Sequence, residues 1–247
     1  MNAATETGRP QTTPINRLKT YRDFFRYNAG NVFAGKFIYF ILFAVAVFLT
    51  VIVIYTLENS TPPDAESVYY FLLVPGILLI FYPSTYAIDS EVNSRMIETI
   101  FGIPDYRYKV FLARNIIQYV VVISLLLVLA LFCRIALADF SILPMLFQVM
   151  FPIVLIGSCS FMVATLTRSG NGTAAIMIII ILFFFFFQEL MYESRWNLFL
   201  NPFRQVQEFE LIVWQETTLY NRIYIAIGAI LTLMFGLLRM QKREKFV

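Results

Sequence analysis

Hydrophobic and polar positions alternate along this chain in long blocks, with apolar runs separated by short polar segments. A helix needs about 20 predominantly apolar residues to cross the roughly 30 Å hydrocarbon core of a bilayer. The pattern therefore predicts an all-α polytopic membrane protein with six transmembrane helices. We place the six spans at residues 37–57, 67–88, 115–133, 144–166, 173–188 and 220–238.

Composition agrees with this pattern, because 59% of the 247 residues are hydrophobic and only 14% are charged. A soluble domain of this length cannot bury so much apolar side chain. Two cysteines, Cys133 and Cys159, lie in or at the edge of apolar runs. They are interpreted either as a disulfide or, more simply, as inert packing residues.

The N-terminal part of the chain is polar first and amphipathic next. Residues 1–14 predict a disordered cytoplasmic N-terminus without a cleavable signal peptide, so the first span would act as the insertion signal. Residues 15–35 carry apolar positions on one helical face and Arg17, Arg22 and Arg26 off that face. This predicts a basic amphipathic helix in the headgroup layer, with a plain cytoplasmic extension as the alternative. Residues 15–247 then form a single membrane domain.

The segment between the fifth and sixth spans, residues 191–219, is too polar to span yet rich in aromatic residues. Trp196 and Trp214 suit headgroup depth, and Asn201-Pro202 breaks the segment. We expect one or two short interfacial helices here. A solvated loop with aromatic anchors is the alternative.

The distribution of positive charge predicts the orientation. Of the 19 Lys and Arg residues, fifteen fall on one side of the predicted spans, including the 89–114 segment and the tail at 239–247. The other side holds Arg134, Arg195, Arg204 and Arg222. Positive residues concentrate on the cytoplasmic side of membrane proteins, so both termini are predicted to be cytoplasmic.

Residues 89–114 form the longest charge-rich interruption between apolar runs. Val92, Met96 and Ile100 recur at helical spacing, while Gly102 and Pro104 end the pattern. Glu91, Arg95 and Glu98 share another face, where Arg95 can pair with either acid. These residues predict a short amphipathic helix at the membrane surface, with an ordinary polar loop as the alternative.

The order of residues in this segment resembles the cytoplasmic coupling helix of ABC-2-type transporter permeases, of the drug- or NosY-like subgroup. The resemblance covers residues 89–107, where Met96-Ile97 departs from the Gly-Thr usual in the family. It rests on Glu91, Ser94, Arg95, Glu98, Pro104 and Arg107. By the resemblance, these six residues would contact an ATPase, and re-entrant helices are expected between the fifth and sixth spans.

The resemblance implies the permease subunit of an ATP-driven exporter in a bacterial inner membrane. Two permease chains, expected to form a homodimer in the lipid bilayer, would pair with two ATP-binding subunits that hold ATP and Mg. This chain lacks a glycine-rich phosphate loop, so we expect it to bind no cofactor and to be no enzyme itself. The substrate is not readable, and no nucleic-acid partner is expected. The alternatives are a non-transporting membrane scaffold and a passive channel.

Other chemistry is disfavoured by the residue types present. The chain has no histidine and no metal-type cysteine spacing, so no metal site is predicted. No predicted span carries a charged residue near its centre, which argues against coupling to protons or sodium. No nucleophile–base set indicates catalysis within the membrane.

Overall fold

A computed structural model describes residues 37–93, 106–191, 194–204, 206 and 210–240. Within these ranges the chain forms six α-helices and no strand. Each helix is long and apolar enough to cross a membrane, which confirms the all-α class and a multi-pass architecture. The helices are α1 (Phe37–Glu58), α2 (Ala65–Asn93), α3 (Tyr106–Ala136), α4 (Ile142–Thr167), α5 (Gly170–Phe187) and α6 (Leu211–Met240).

Consecutive helices run in opposite directions, so the bundle has two ends. We call end A the one that holds the start of α1, the end of α2, the start of α3, the α4–α5 turn and the end of α6. End B holds the α1–α2 and α3–α4 turns and the segment 194–206. The charge-rich stretch between α2 and α3 therefore belongs to end A.

Helix α4 lies at the centre of the bundle and packs against α2, α3, α5 and α6. Some 61% of its apolar window is buried, compared with 17% for α5 and 22% for α1. Glycine permits the closest contacts: a Cβ atom at Gly157 would lie 2.7 Å from the Tyr119 hydroxyl oxygen. The outer faces of α1 and α5 remain apolar and exposed, as lipid-facing surfaces are.

Helix α2 stays continuous although Pro75 and Pro83 lie inside it. Proline has no backbone N–H, but neighbouring helices and side-chain hydrogen bonds allow proline inside membrane helices. Gln118 of α3 donates to the Pro83 carbonyl oxygen at 3.1 Å. Ser84 and Thr85, next to that proline, each donate to a backbone oxygen one turn earlier at 2.7 Å.

Several helices extend beyond the predicted spans. Helix α2 continues to Asn93, α3 begins at Tyr106 and α6 begins at Leu211. The spans were predicted from apolar runs, whereas backbone hydrogen bonding also continues a helix through polar residues outside the bilayer. The predicted disordered residues 1–14 and amphipathic helix 15–35 lie outside the described residues, as does the tail from residue 241.

The predicted interfacial and re-entrant helices between α5 and α6 are not confirmed. The described residues 194–204 form successive turns instead, while residues 211–219 belong to α6. Asparagine side chains hold these turns, since Asn197 accepts from the Phe199 N–H and Asn201 accepts from the Phe203 N–H, each at 3.0 Å. Such bonds stabilise turns in preference to helix.

Candidate functional site

The bundle has a polar centre at each of its two ends. The first lies at end A, near the ends of α2 and α3 that the charge-rich stretch connects in the sequence. Helix α2 continues for five residues beyond the buried Ile88, about 7.5 Å, and ends at Asn93. Helix α3 begins at Tyr106, and Phe111 is its first buried apolar side chain among those described. Both helices therefore extend through polar residues at end A, and the chain between them lies outside the described residues.

The six predicted ATPase-coupling residues lie, in the sequence, between the last turn of α2 and the first turn of α3. Glu91 lies in the last turn of α2 and Arg107 in the first turn of α3, where only the backbone is described. The four remaining residues fall outside the described residues: Ser94, Arg95, Glu98 and Pro104. Their predicted amphipathic helix therefore stays a prediction.

The end of α2 is attached to the α4–α5 turn by two hydrogen bonds. The Gly170 N–H, the first of α5, donates to an Asp89 carboxylate oxygen at 3.1 Å. The Tyr86 hydroxyl donates to the Asn171 side-chain oxygen at 3.0 Å. A carboxylate at a helix N-terminus also interacts favourably with the helix dipole. The α2 end therefore contacts α5 through a charge-assisted bond.

The α4–α5 turn is itself closely hydrogen-bonded, which holds the end of α4 and the start of α5 in a fixed arrangement. Arg168 adopts the left-handed conformation with φ 56°, and its N–H donates to the Ala164 carbonyl oxygen at 2.9 Å. The hydroxyls of Thr167 and Thr173 lie 2.7 Å apart across the turn. The Thr173 hydroxyl also donates to the Ser169 carbonyl oxygen at 2.8 Å.

A second contact between α2 and α5, that of the Tyr86 ring with Gly170, depends on the absence of a side chain at residue 170. A Cβ atom at Gly170 would overlap the Tyr86 ring, whereas one at Gly172 would meet nothing nearer than 3.6 Å. We expect Gly170→Ala to lower the free energy of unfolding by about 1–3 kcal/mol, as overpacking does. Gly172→Ala is the matched control and should be neutral or slightly stabilising, since alanine favours helix. Thermal unfolding in detergent measures both, and equal effects would contradict the Tyr86–Gly170 contact.

An apolar cluster beneath this turn joins the other helices at end A. It consists of Ile88, Phe111, Phe161, Ala164 and Met240, from α2, α3, α4 and α6. The Arg239 Nε–H donates to the Thr165 carbonyl oxygen at 3.2 Å, which adds a polar contact between α6 and α4. The cluster therefore brings α2, α3, α4 and α6 into direct contact at end A.

The second polar centre lies at end B around Arg222 of α6, which is only 5% exposed. Its guanidinium donates to the Gln148 side-chain oxygen at 2.8 Å, the Asn221 side-chain oxygen at 2.9 Å and the Leu200 carbonyl oxygen at 3.0 Å. A longer bond of 3.5 Å reaches the Tyr69 hydroxyl. Arg222 thereby connects α2, α4, α6 and the 194–206 segment.

All of these acceptors are uncharged, and among the described residues no carboxylate pairs with Arg222. The charge count assigns Arg222 to the same side of the spans as Arg134, Arg195 and Arg204, and it does not predict that Arg222 is buried. The following residues, 223–238, carry no charge and extend about 24 Å along the helix. Arg222 therefore lies inside the bundle at one edge of the apolar part of α6.

The remaining candidates from the sequence have simple outcomes. Cys133 is buried, Cys159 is half-buried, and both are free thiols, so the disulfide interpretation is not supported. In the described ranges no group of three or more His, Cys, Asp or Glu side chains could hold a metal ion.

Sequence reasoning missed the attachment of Asp89 to Gly170 and the burial of Arg222. Gly170 is 81 positions from Asp89, and two of the four acceptors of Arg222, Gln148 and Tyr69, are 74 and 153 positions away, so no local pattern indicates these pairs. Comparison with protein-family models, with curated proteins and with solved structures gave no match.

Proposed function

We propose that this chain is the permease subunit of an ATP-driven exporter and that residues 89–107 couple it to a separate ATP-binding subunit. The proposal is supported by one arrangement in particular. The stretch that resembles an ABC-2 coupling helix connects α2 and α3, whose ends pack at end A against the α4–α5 turn and an apolar cluster. A docking surface for a soluble ATPase has to stand clear of the lipid, and the polar sequence of this stretch suits that position.

The mechanism we propose is mechanical. ATP binding closes the two ATPase subunits, and each one carries a coupling segment with it through Glu91, Arg95 and Glu98. The movement enters the membrane along α2 and α3. It continues to α5 through the Asp89–Gly170 hydrogen bond and to α4 and α6 through the apolar cluster at end A. The bundle thus responds to the ATPase as packed helices rather than through a flexible link.

A single chain offers no passage of its own in this proposal, so two copies form the conduit. Exposed apolar surface is available on α1 and α5, for instance at Phe43, Ile179 and Phe186. Part of this surface faces the second copy and part faces lipid. Both termini and end A then lie in the cytosol of a bacterium, with the chain in its inner membrane.

Photocrosslinking in intact cells tests this assignment. A photoreactive residue at Thr99, beside Glu98, should capture a nucleotide-binding subunit that mass spectrometry identifies. The control probe is placed at Ser60, in the exposed α1–α2 turn at end B, and should capture no such subunit. Capture of non-ATPase proteins alone at Thr99 would favour a scaffold, and absence of any partner would favour a passive channel.

A further inference from the structure

A groove between α4 and α6 opens at end B beside Arg222. Its polar part has a volume of about 540 Å³ and is lined by residues that include Gln148, Trp214, Thr218 and Arg222. Of the described residues that line it, none is acidic. Arg204 stacks its guanidinium over the Trp214 ring, 5.4 Å from the ring centre, so a second cation lies close to the groove.

Two polar atoms of the groove wall have no hydrogen-bond partner among the residues that the structure describes. The Trp214 Nε1 and Thr218 Oγ1 atoms are buried, and neither has a hydrogen-bond partner in the described part of the chain. Trp214, Thr218 and Arg222 follow one another at intervals of four residues, so they share one face of α6. A buried donor without an acceptor is costly, and a buried cation without an anion is more so. Both costs would be relieved by an anionic group in the groove.

An apolar groove continues from the polar one deeper into the bundle. It has a volume of about 290 Å³ and shares Phe147, Phe151 and Ala226 with the polar part. It extends as far as Ile230 on α6, eight residues beyond Arg222, which is about 12 Å along the helix. Along α6, unsatisfied donors, a charge and then an apolar trough follow one another, in the order of a phospholipid's headgroup, phosphate and acyl chain.

We propose that this groove binds an anionic phospholipid of the bilayer. The phosphate contacts Arg222, the rest of the headgroup lies along Thr218 and Trp214, and an acyl chain follows Phe151, Ala226 and Ile230. The depth fits, because Arg222 lies at one edge of the uncharged part of α6, where a phosphate group is placed in a membrane. The site depends on neither an ATPase nor the proposed export activity.

The test is native mass spectrometry of the full-length protein, titrated with phosphatidylglycerol or with phosphatidylcholine of the same acyl chains. Both lipids offer a phosphate to Arg222, but only the glycerol headgroup offers acceptors to Trp214 and Thr218, whereas choline brings a further cation toward Arg204. We therefore expect the wild type to retain phosphatidylglycerol about tenfold better. The double variant Trp214→Phe and Thr218→Val keeps the shapes and removes both unsatisfied donors. It should fold as the wild type does and lose most of that preference.

The matched control is Thr232→Val on the same helix, because the Thr232 hydroxyl donates to the Gly228 carbonyl oxygen and does not line the groove. It should bind as the wild type does. Ala226→Phe fills the trough and should weaken both lipids. Equal retention of the two lipids by the wild type would overturn the proposal. Equal stabilisation by inorganic phosphate would show a free-anion site instead, and lipid-independent dimerisation abolished by Ala226→Phe would show an interface between copies.

Discussion

Replacing Arg222 with methionine is expected to lower the free energy of unfolding by about 2–4 kcal/mol, because it removes a buried donor that several acceptors share. The change leaves the Leu200 carbonyl and the Gln148 and Asn221 side chains without their shared donor. Each unsatisfied buried group costs about 1–3 kcal/mol, and the relief of removing a buried charge offsets only part of the sum. The guanidinium connects α2, α4, α6 and the turns at 194–204, so its loss removes the hydrogen bonds that join these four parts of the chain.

Arg134→Met is the control for that substitution. Arg134 lies at the same end of the bundle but is half exposed, and its 3.6 Å pair with Asp139 is open to solvent. Exposed pairs contribute about 0–1 kcal/mol, so this variant should unfold almost as the wild type does. Thermal unfolding and the yield of folded protein in detergent measure both variants. An Arg222→Met protein as stable as Arg134→Met would show that the buried network contributes little.

Glu98→Lys is expected to abolish the coupling of ATP hydrolysis to this chain while leaving its fold intact. In the sequence, Glu98 belongs to the charge-rich stretch between α2 and α3, where the resemblance places the ATPase contact. Reversal of a charge at a protein interface typically costs about 2–5 kcal/mol, which lowers affinity for the ATPase at least tenfold. The measurement is the amount of nucleotide-binding subunit that copurifies and the ATP hydrolysis it performs.

The comparison variant is Glu58→Lys, at the exposed end of α1 on the opposite side of the bundle. It makes the same charge change and should leave the ATPase bound and active. Wild-type unfolding temperatures for both variants would establish that neither effect reflects misfolding. Full ATPase activity and normal assembly in Glu98→Lys would remove Glu98 from the coupling surface.

The six membrane helices were predictable because an apolar run long enough to cross a bilayer has few other uses. The helix ends were less predictable, since an apolar run shows where lipid stops rather than where the helix stops. Helix α3 illustrates this difference: residues 106–114 include three basic side chains, yet the helix already begins at Tyr106. In α6, residues 211–219 were read as interfacial, although they continue a membrane helix.

The polar centres were not predictable from local pattern. Arg222 has the sequence appearance of a surface charge, next to Asn221 and near the start of a predicted span. Its burial follows from acceptors at residues 69, 148 and 200, which only the folded bundle brings together. In the sequence, Asp89 is one of eight charged residues in the 89–114 segment. Its role as the acceptor for the Gly170 N–H depends on how α2 and α5 pack.

The central claim, that this chain works with a separate ATPase, is tested most directly by purifying it from its native membrane in mild detergent. All stoichiometric partners are then identified by mass and assayed for ATP hydrolysis. We predict one nucleotide-binding subunit for each copy of this chain, with two copies of each in the complex. A chain that purifies alone, or with partners that hydrolyse no ATP, would contradict the claim.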